Sequence, residues 1–260
     1  MSESKVSASS TLPLHSQQPS LVPLTLSSLT TPGAFSLSLC TRLFEECART
    51  PLAVPVIPFL RACLEIKKIV SALGTILGFA SIEINDKVSG VLLQFNQHSS
   101  ASKKNLPIAA GESKEPSEDI PEVTLQSLLN DEVSIKGGVD KHKSTARELF
   151  RLLWTLDFIT SLMNGLADGP DLTLKAAAVA AYSQTLSQHH GKLIRISVSA
   201  ALLLLPDRQK FLKSIAGAEG GSEKPEFVLL LKELTGSFAP VRESLWAYYR
   251  EHGLGDGKLD

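Results

Sequence analysis

Between Leu149 and Leu162 the apolar residues Leu149, Leu152, Leu153, Leu156, Ile159 and Leu162 recur at spacings of one, three and four. That is the period of one helix face, and a half-buried strand would alternate instead. A helix with so continuous an apolar stripe has to cover it with other elements, so it fixes the class of fold around it. Ser144 or Thr145 can cap its first turn, and Gly169-Pro170 breaks the chain beyond it.

The rest of the chain follows the same period. Leu39, Phe44 and Cys47 predict a short helix ended near Pro51. Pro55 and Pro58 open a long periodic stretch from about Phe59 to Phe95, with a bend or break at Gly74 and Gly78. A helix from Pro121 is closed by Gly137-Gly138. Asp171 or Thr173 can cap an Ala-rich helix that ends near His189-His190. Another helix runs from about Gly191 to Leu205, and Pro206-Asp207 starts the next. Gly217 to Lys224 reads as a loop, followed by helices from Pro225 to about Leu234 and from Ser237 to about His252. No segment has the alternation and turn chemistry of a hairpin, and no repeat of fixed period is apparent. The expectation is an all-α chain of about eight helices in one domain, residues 35–260. Residues 1–34, rich in Ser, Thr, Pro and Leu without helical period, read as a disordered tail, and 99–121 as a flexible loop.

Composition narrows the function. A formal net charge of -1 argues against a nucleic-acid binder, because phosphate-backbone binding needs a marked basic excess. The longest aliphatic stretch, Ile196 to Leu205, is far short of the roughly 20 apolar residues that span a bilayer. Three cysteines with no Cys-x-x-Cys pair and no secretory signal ahead of them fit a reducing compartment, the cytoplasm. Arg is absent before Arg42 and Glu3 stands near the start, which fits poorly with an organelle transit peptide but leaves an address in the tail open. There is no phosphate-cradling Gly-rich loop, no Gly-x-Ser-x-Gly elbow, no His-Glu-x-x-His and no Cys/His spacing for zinc. The chain therefore reads as a non-enzyme that needs no cofactor or metal.

Among polar residues, Arg147 and Arg151 are four apart and share a helix face beside the leucine stripe. They are either a solvated flank, with Glu148 pairing to Arg151, or a forked anion site in which both guanidiniums reach one phosphate. Glu83 and Lys87, also four apart, read alone as a surface ion pair. His189 and His190 adjoin a helix junction, so one of them is exposed.

The order of these groups resembles the glycolipid transfer protein family. Leu73-Gly74-Thr75-Ile76-Leu77-Gly78-Phe79-Ala80 followed by Glu83-x-x-x-Lys87-Val88 is similar to the first headgroup-contacting helix of that family. Arg147-x-x-x-Arg151 resembles the second contacting helix of the branch that carries ceramide-1-phosphate, where the glycolipid branch has Trp in place of Arg147. Ala181-Tyr182 through His189-His190-Gly191 and on to Leu205-Pro206 resembles the family's Tyr and His-Gly segment and the helix after it. The likeness covers about residues 56 to 252, more weakly across 99–121. In two places the chain departs from the pattern: Glu83 stands for an Asp, one methylene longer, and Lys192 stands where a membrane-docking Trp is often found. Asp86 is an alternative acid but breaks the spacing to Lys87.

The resemblance implies a two-layer sandwich of helices around an apolar tunnel. It also implies a monomer that moves a phosphorylated sphingolipid, ceramide-1-phosphate, between membranes and touches their surface transiently. Lys87, Arg147 and Arg151 would hold the phosphate, Glu83 would accept from the ceramide amide N–H, and His190 would donate to its carbonyl. The competing expectations are a helical interaction module with a degraded lipid site, an enzyme acting on lipid, and a carrier of a neutral glycolipid.

Overall fold

A computed structural model describes residues 23–50, 52–104, 122–136, 144–216 and 225–254 of the 260-residue chain. Among the described residues there are ten α-helices, and the extended pairing is confined to one isolated antiparallel bridge, Pro55 with Thr124. The helices are α1 (Leu26–Leu29), α2 (Leu37–Ala48), α3 (Val56–Ala72), α4 (Gly78–Lys104), α5 (Leu125–Lys136), α6 (Thr145–Asp168), α7 (Leu174–Gln184), α8 (Lys192–Leu202), α9 (Arg208–Ala216) and α10 (Pro225–Glu251). Single 3-10 turns, Thr75–Leu77 and Leu186–Gln188, follow α3 and α7.

The leucine stripe does what its period requires. Ser144 caps α6 by accepting from the Arg147 amide at 3.0 Å, and every stripe residue from Leu149 to Leu162 is buried. Each such side chain contributes about 1.5–3 kcal/mol when taken out of water. Around α6 the helices form two layers, with α2, α3 and α4 side by side in one and α6, α7 and α10 in the other. The layers meet where α2 packs on α10 and where α4 and α3 pack on α6. Phe44 of α2 against Phe238 of α10, with ring centroids 4.2 Å apart, marks one such seam.

Caps set the other boundaries. Thr173, not Asp171, caps α7 through the Ala176 amide, and Asp207 accepts from the Lys210 amide at the start of α9. Leu73 ends α3, and Gly74 takes φ +116, a conformation that favours glycine and lets the chain fold back so that α4 lies along α3.

Three expectations need correction. The tail expected to be disordered over 1–34 is folded from residue 23. Thr25 and Ser28 form a capping box around α1, Leu29 is buried, and the Asn96 amide of α4 pairs with both backbone groups of Leu24, at 3.1 and 2.9 Å. Ser36 N–H then donates to the buried Glu65, which also holds Lys68 at 2.7 Å. Residues 1–22 lie outside the described residues. Residues 99–104, expected in a flexible loop, are helical because α4 continues to Lys104, while 105–121 and the expected loop at 217–224 are likewise outside the described residues.

The two last helices expected on either side of Ser237 are one, α10, running through Pro240. Pro240 cannot donate to the carbonyl four residues back, which costs an interior helix about 3 kcal/mol. The stripe Phe227, Leu231, Leu234, Phe238, Val241, Leu245 and Tyr249 is buried without interruption across that point and outweighs the lost bond. Pro240 itself sits on the exposed side.

Candidate functional site

The fold-back at Gly74 and the crossing of α4 with α6 bring distant ionic residues together. Glu83 on α4 places Oε1 3.3 Å from Nζ of Lys87, one turn on, and 3.3 Å from Nη1 of Arg151 on α6. Lys87 also lies 3.1 Å from Oε2 of Glu148. That second contact is one of charge rather than a directed hydrogen bond, since no donor is aimed at this buried oxygen. Gly90 makes the contact possible: a Cβ there would come within 3.1 Å of Glu148 Cγ. Two cations, Lys87 and Arg151, are thus balanced by two carboxylates across one helix crossing.

Beside this cluster opens a cavity of about 580 Å³. Its walls are apolar, with Val70, Leu73 and Leu77 from the α3–α4 corner, Ile84 from α4 and Phe158 from α6, while Glu83, Arg151, Tyr182 and His190 supply polar edges. The size and the few convergent polar groups suit a small-molecule or lipid site. Phe79, Leu193 and Ile194 line the cavity and are also exposed, so its mouth is apolar on the outside as well. Trp154 forms part of the wall, and His189 lies flat on it with centroids 3.8 Å apart and planes at 10°.

His190 is held by Tyr182, whose hydroxyl is 3.0 Å from Nδ1. Burial lowers the His190 pKa, with positive charge on His189 and Arg151 acting in the same direction and Glu83 opposing. Burial also raises the Tyr182 pKa, so the phenol keeps its proton. A neutral imidazole that accepts the Tyr182 hydroxyl hydrogen bond at Nδ1 carries its proton on Nε2 and can donate it.

Of the residues singled out from sequence, Glu83, Lys87 and Arg151 come together, and His190 shares the same cavity. Lys87 and Arg147 do not line it. Arg147 is half-buried one turn before Arg151, and Lys87 is drawn towards the two carboxylates. Asp86, the alternative acid, is exposed and away from the cavity. Glu148 pairs with Lys87 across helices and not with Arg151 within its own. The sequence likeness includes Tyr182 but does not pair it with His190, and the Trp154–His189 stack carries no sequence signal beyond its residue types. Among the described residues there is no group of three or more His, Cys, Asp or Glu that could hold a metal ion, and no helix long and apolar enough to cross a membrane.

Two layers of helices flank an apolar cavity with an ionic edge, the architecture that the resemblance of the sequence implies. Residues 54–217 match the family described as Glycolipid transfer protein (GLTP), and the chain belongs to that family. Human Pleckstrin homology domain-containing family A member 8 is 25% identical over 212 residues, covering 77% of this chain but only 36% of that protein, so the chain spans about a third of that relative. Human ceramide-1-phosphate transfer protein is 22% identical over 223 residues, covering 85% of this chain and 96% of the relative. The crystal structure of that human protein with a bound ceramide-1-phosphate superposes with a TM-score of 0.66 at 23% identity, over 85% of this chain and 99% of that one. At that identity the structural likeness speaks for the fold.

Proposed function

We propose that this chain carries a phosphorylated sphingolipid, ceramide-1-phosphate, between membranes without vesicles. The observation that carries the reading is an apolar cavity of about 580 Å³ with Arg151, Glu83 and His190 together on its lining. Moving an acyl chain from bilayer to water costs about 0.8 kcal/mol per CH₂. A cavity of Leu, Ile, Val and Phe replaces most of the lost contacts, so the carrier lowers the barrier that makes spontaneous transfer slow.

The headgroup end supplies discrimination. Arg151, with Arg147 one turn away, would fork onto the phosphate, and Lys87 would add charge. Glu83 would accept from the amide N–H, and Nε2–H of His190 would donate to the amide carbonyl. A neutral glycolipid would leave the arginines without the anion they are placed to bind, which is how a polar site rejects a competitor. The full-length similarity to a ceramide-1-phosphate transfer protein supports this reading, as does Arg at 147 in place of the Trp that a sugar ring would stack on.

The exposed Phe79, Leu193 and Ile194 at the mouth would meet the membrane surface, and the chain would act as a monomer that docks transiently. α8 is held by few buried residues, Val198, Ala201 and Leu202, and is the wall with least packing to lose when two acyl chains enter. Mass spectrometry of lipid co-purified with the protein, together with vesicle transfer of ceramide-1-phosphate and galactosylceramide in parallel, tests the proposal. Selective capture and transfer of the phosphorylated lipid is expected. Equal or faster transfer of galactosylceramide refutes it and turns the reading to a glycolipid carrier.

A further inference from the structure

Resting on the exposed mouth as the side that meets a membrane, we infer that the outer face of α8, with the 3-10 turn Thr75–Leu77 and the start of α4, docks on an anionic leaflet selected by Lys192 and Arg195. Exposed apolar side chains gather on this side. Of thirteen large apolar side chains exposed among the described residues, eight fall within 76–82 and 193–204, and the two stretches meet where α8 packs on the 3-10 turn. Scattered singly they would need no explanation, but gathered together they mark an interaction face. With about 3.6 residues per turn, Lys192, Ile196 and Leu203 fall on the side of α8 away from the buried Val198, Ala201 and Leu202. Ile196 and Leu203 are 58% and 59% exposed and do not line the cavity, so a lipid inside it does not account for them.

Charge says what covers this face. Between Asp171 and Asp207 the chain has no Asp or Glu. Lys192 and Arg195 are exposed there and make no ion pair among the described residues. Neighbouring carboxylates are committed elsewhere, Glu83 to Lys87 and Arg151, and Asp207 to Lys210 at 3.7 Å. Asp86, exposed one turn beyond Ile82, opposes the two cations with a single charge. An apolar helix face flanked by Lys and Arg matches a leaflet that is negative at its headgroups and apolar beneath them. Phe79, Leu193 and Ile194 belong both to this face and to the cavity wall, so the surface runs into the entrance. A leaflet seated on it opens directly to the cavity, whereas a protein seated on the same side chains would cover it.

The test uses the full chain and vesicles free of sphingolipid, one set of phosphatidylcholine alone and one doped with phosphatidylglycerol, with bound protein measured by flotation. Wild type is expected to prefer the anionic set by about tenfold or more, since each Lys or Arg near such a surface favours binding about fivefold. Raising salt from about 0.1 M to about 1 M shortens the screening length from about 10 Å to about 3 Å and should abolish the preference. The double variant Lys192→Gln, Arg195→Gln should bind both sets alike, at the wild-type affinity for the neutral set. Ile196→Gln should weaken binding to both sets roughly tenfold, the loss of one apolar side chain from the interface, and leave their ratio unchanged. All three side chains are exposed, and substitutions at such positions leave the fold standing. A wild type without preference, or a double variant that keeps it, overturns the inference. Binding to neither set overturns it as well and turns the face to a protein partner. No vesicle contains ceramide-1-phosphate, so these outcomes are separate from the cargo: absence of that lipid from the purified protein would overturn the cargo reading and leave the docking result standing.

Discussion

Replacing Arg151 with leucine separates a headgroup ligand from an ordinary surface arginine, and the structure sets both magnitudes. Arg151 is a third exposed, and its partner Glu83 nearly half exposed, at 34% and 47%. Such a pair, screened by water, contributes about 0.2–1 kcal/mol to folding. For a chain of this length 1 kcal/mol corresponds to about 2–4 °C in Tm, so the variant should melt within a few degrees of wild type. A guanidinium that grips phosphate contributes about 1.5–3 kcal/mol to binding, which weakens affinity roughly tenfold to a hundredfold when it is lost. Arg147→Leu should cost less, because Arg147 stands outside the cavity lining while Arg151 is part of it. The double variant should lose less than the sum of the two, since groups sharing one ligand charge are not additive. Ceramide-1-phosphate affinity from vesicles, read beside melting temperature for the three variants, checks all of this. Unchanged affinity in the double variant would return both arginines to a solvated flank and remove the phosphate assignment.

Three further outcomes are expected. Glu83→Gln should weaken ceramide-1-phosphate transfer with little change in Tm, because Lys87 keeps Glu148; wild-type transfer in this variant together with loss in Asp86→Asn would show that the acid is misassigned. Because burial holds the His190 pKa below the ordinary value near 6.5, the unfolded chain takes up the proton first as pH falls, so this group's stability is present above about 6.5 and lost as pH drops through its lower folded value. Melting curves from pH 7.5 to 5 should therefore fall less steeply for His190→Asn, and an identical slope would refute the assignment. A chain beginning at Phe35 should still transfer lipid but melt lower, since it loses Leu29, worth about 1.5–3 kcal/mol of burial, and the Leu24–Asn96 pairing; an unchanged Tm would show that the strap contributes nothing.

Much of the fold is legible in the sequence because it is local. The stripe of α6, the break at Gly74 and the caps at Ser144 and Asp207 are decided within a few residues of chain. What escapes is decided by distant partners. Nothing near Pro240 tells that Phe238 will meet Phe44, yet that packing is what carries α10 through the proline. Nothing in the Ser- and Thr-rich segment around Leu24 tells that Asn96 will satisfy its backbone from another helix. A weak local signal with a strong remote partner reads as disorder until the partner is in place.

The ionic site divides along the same line. The spacing of four identifies Glu83 with Lys87 and Arg147 with Arg151 as residues sharing a helix face, but it cannot say which face meets which. Once α4 crosses α6 further pairs form across helices, Glu83 to Arg151 and Lys87 to Glu148, while Glu83 keeps Lys87. The rearrangement has an energetic reason, because unpaired cations at the edge of an apolar cavity would lose hydration without compensation, and nearby carboxylates supply it. A ligand anion has to compete with those carboxylates, so affinity is set by the difference between two anions and not by the number of basic groups present. That difference is what a count of lysines and arginines along the sequence leaves out.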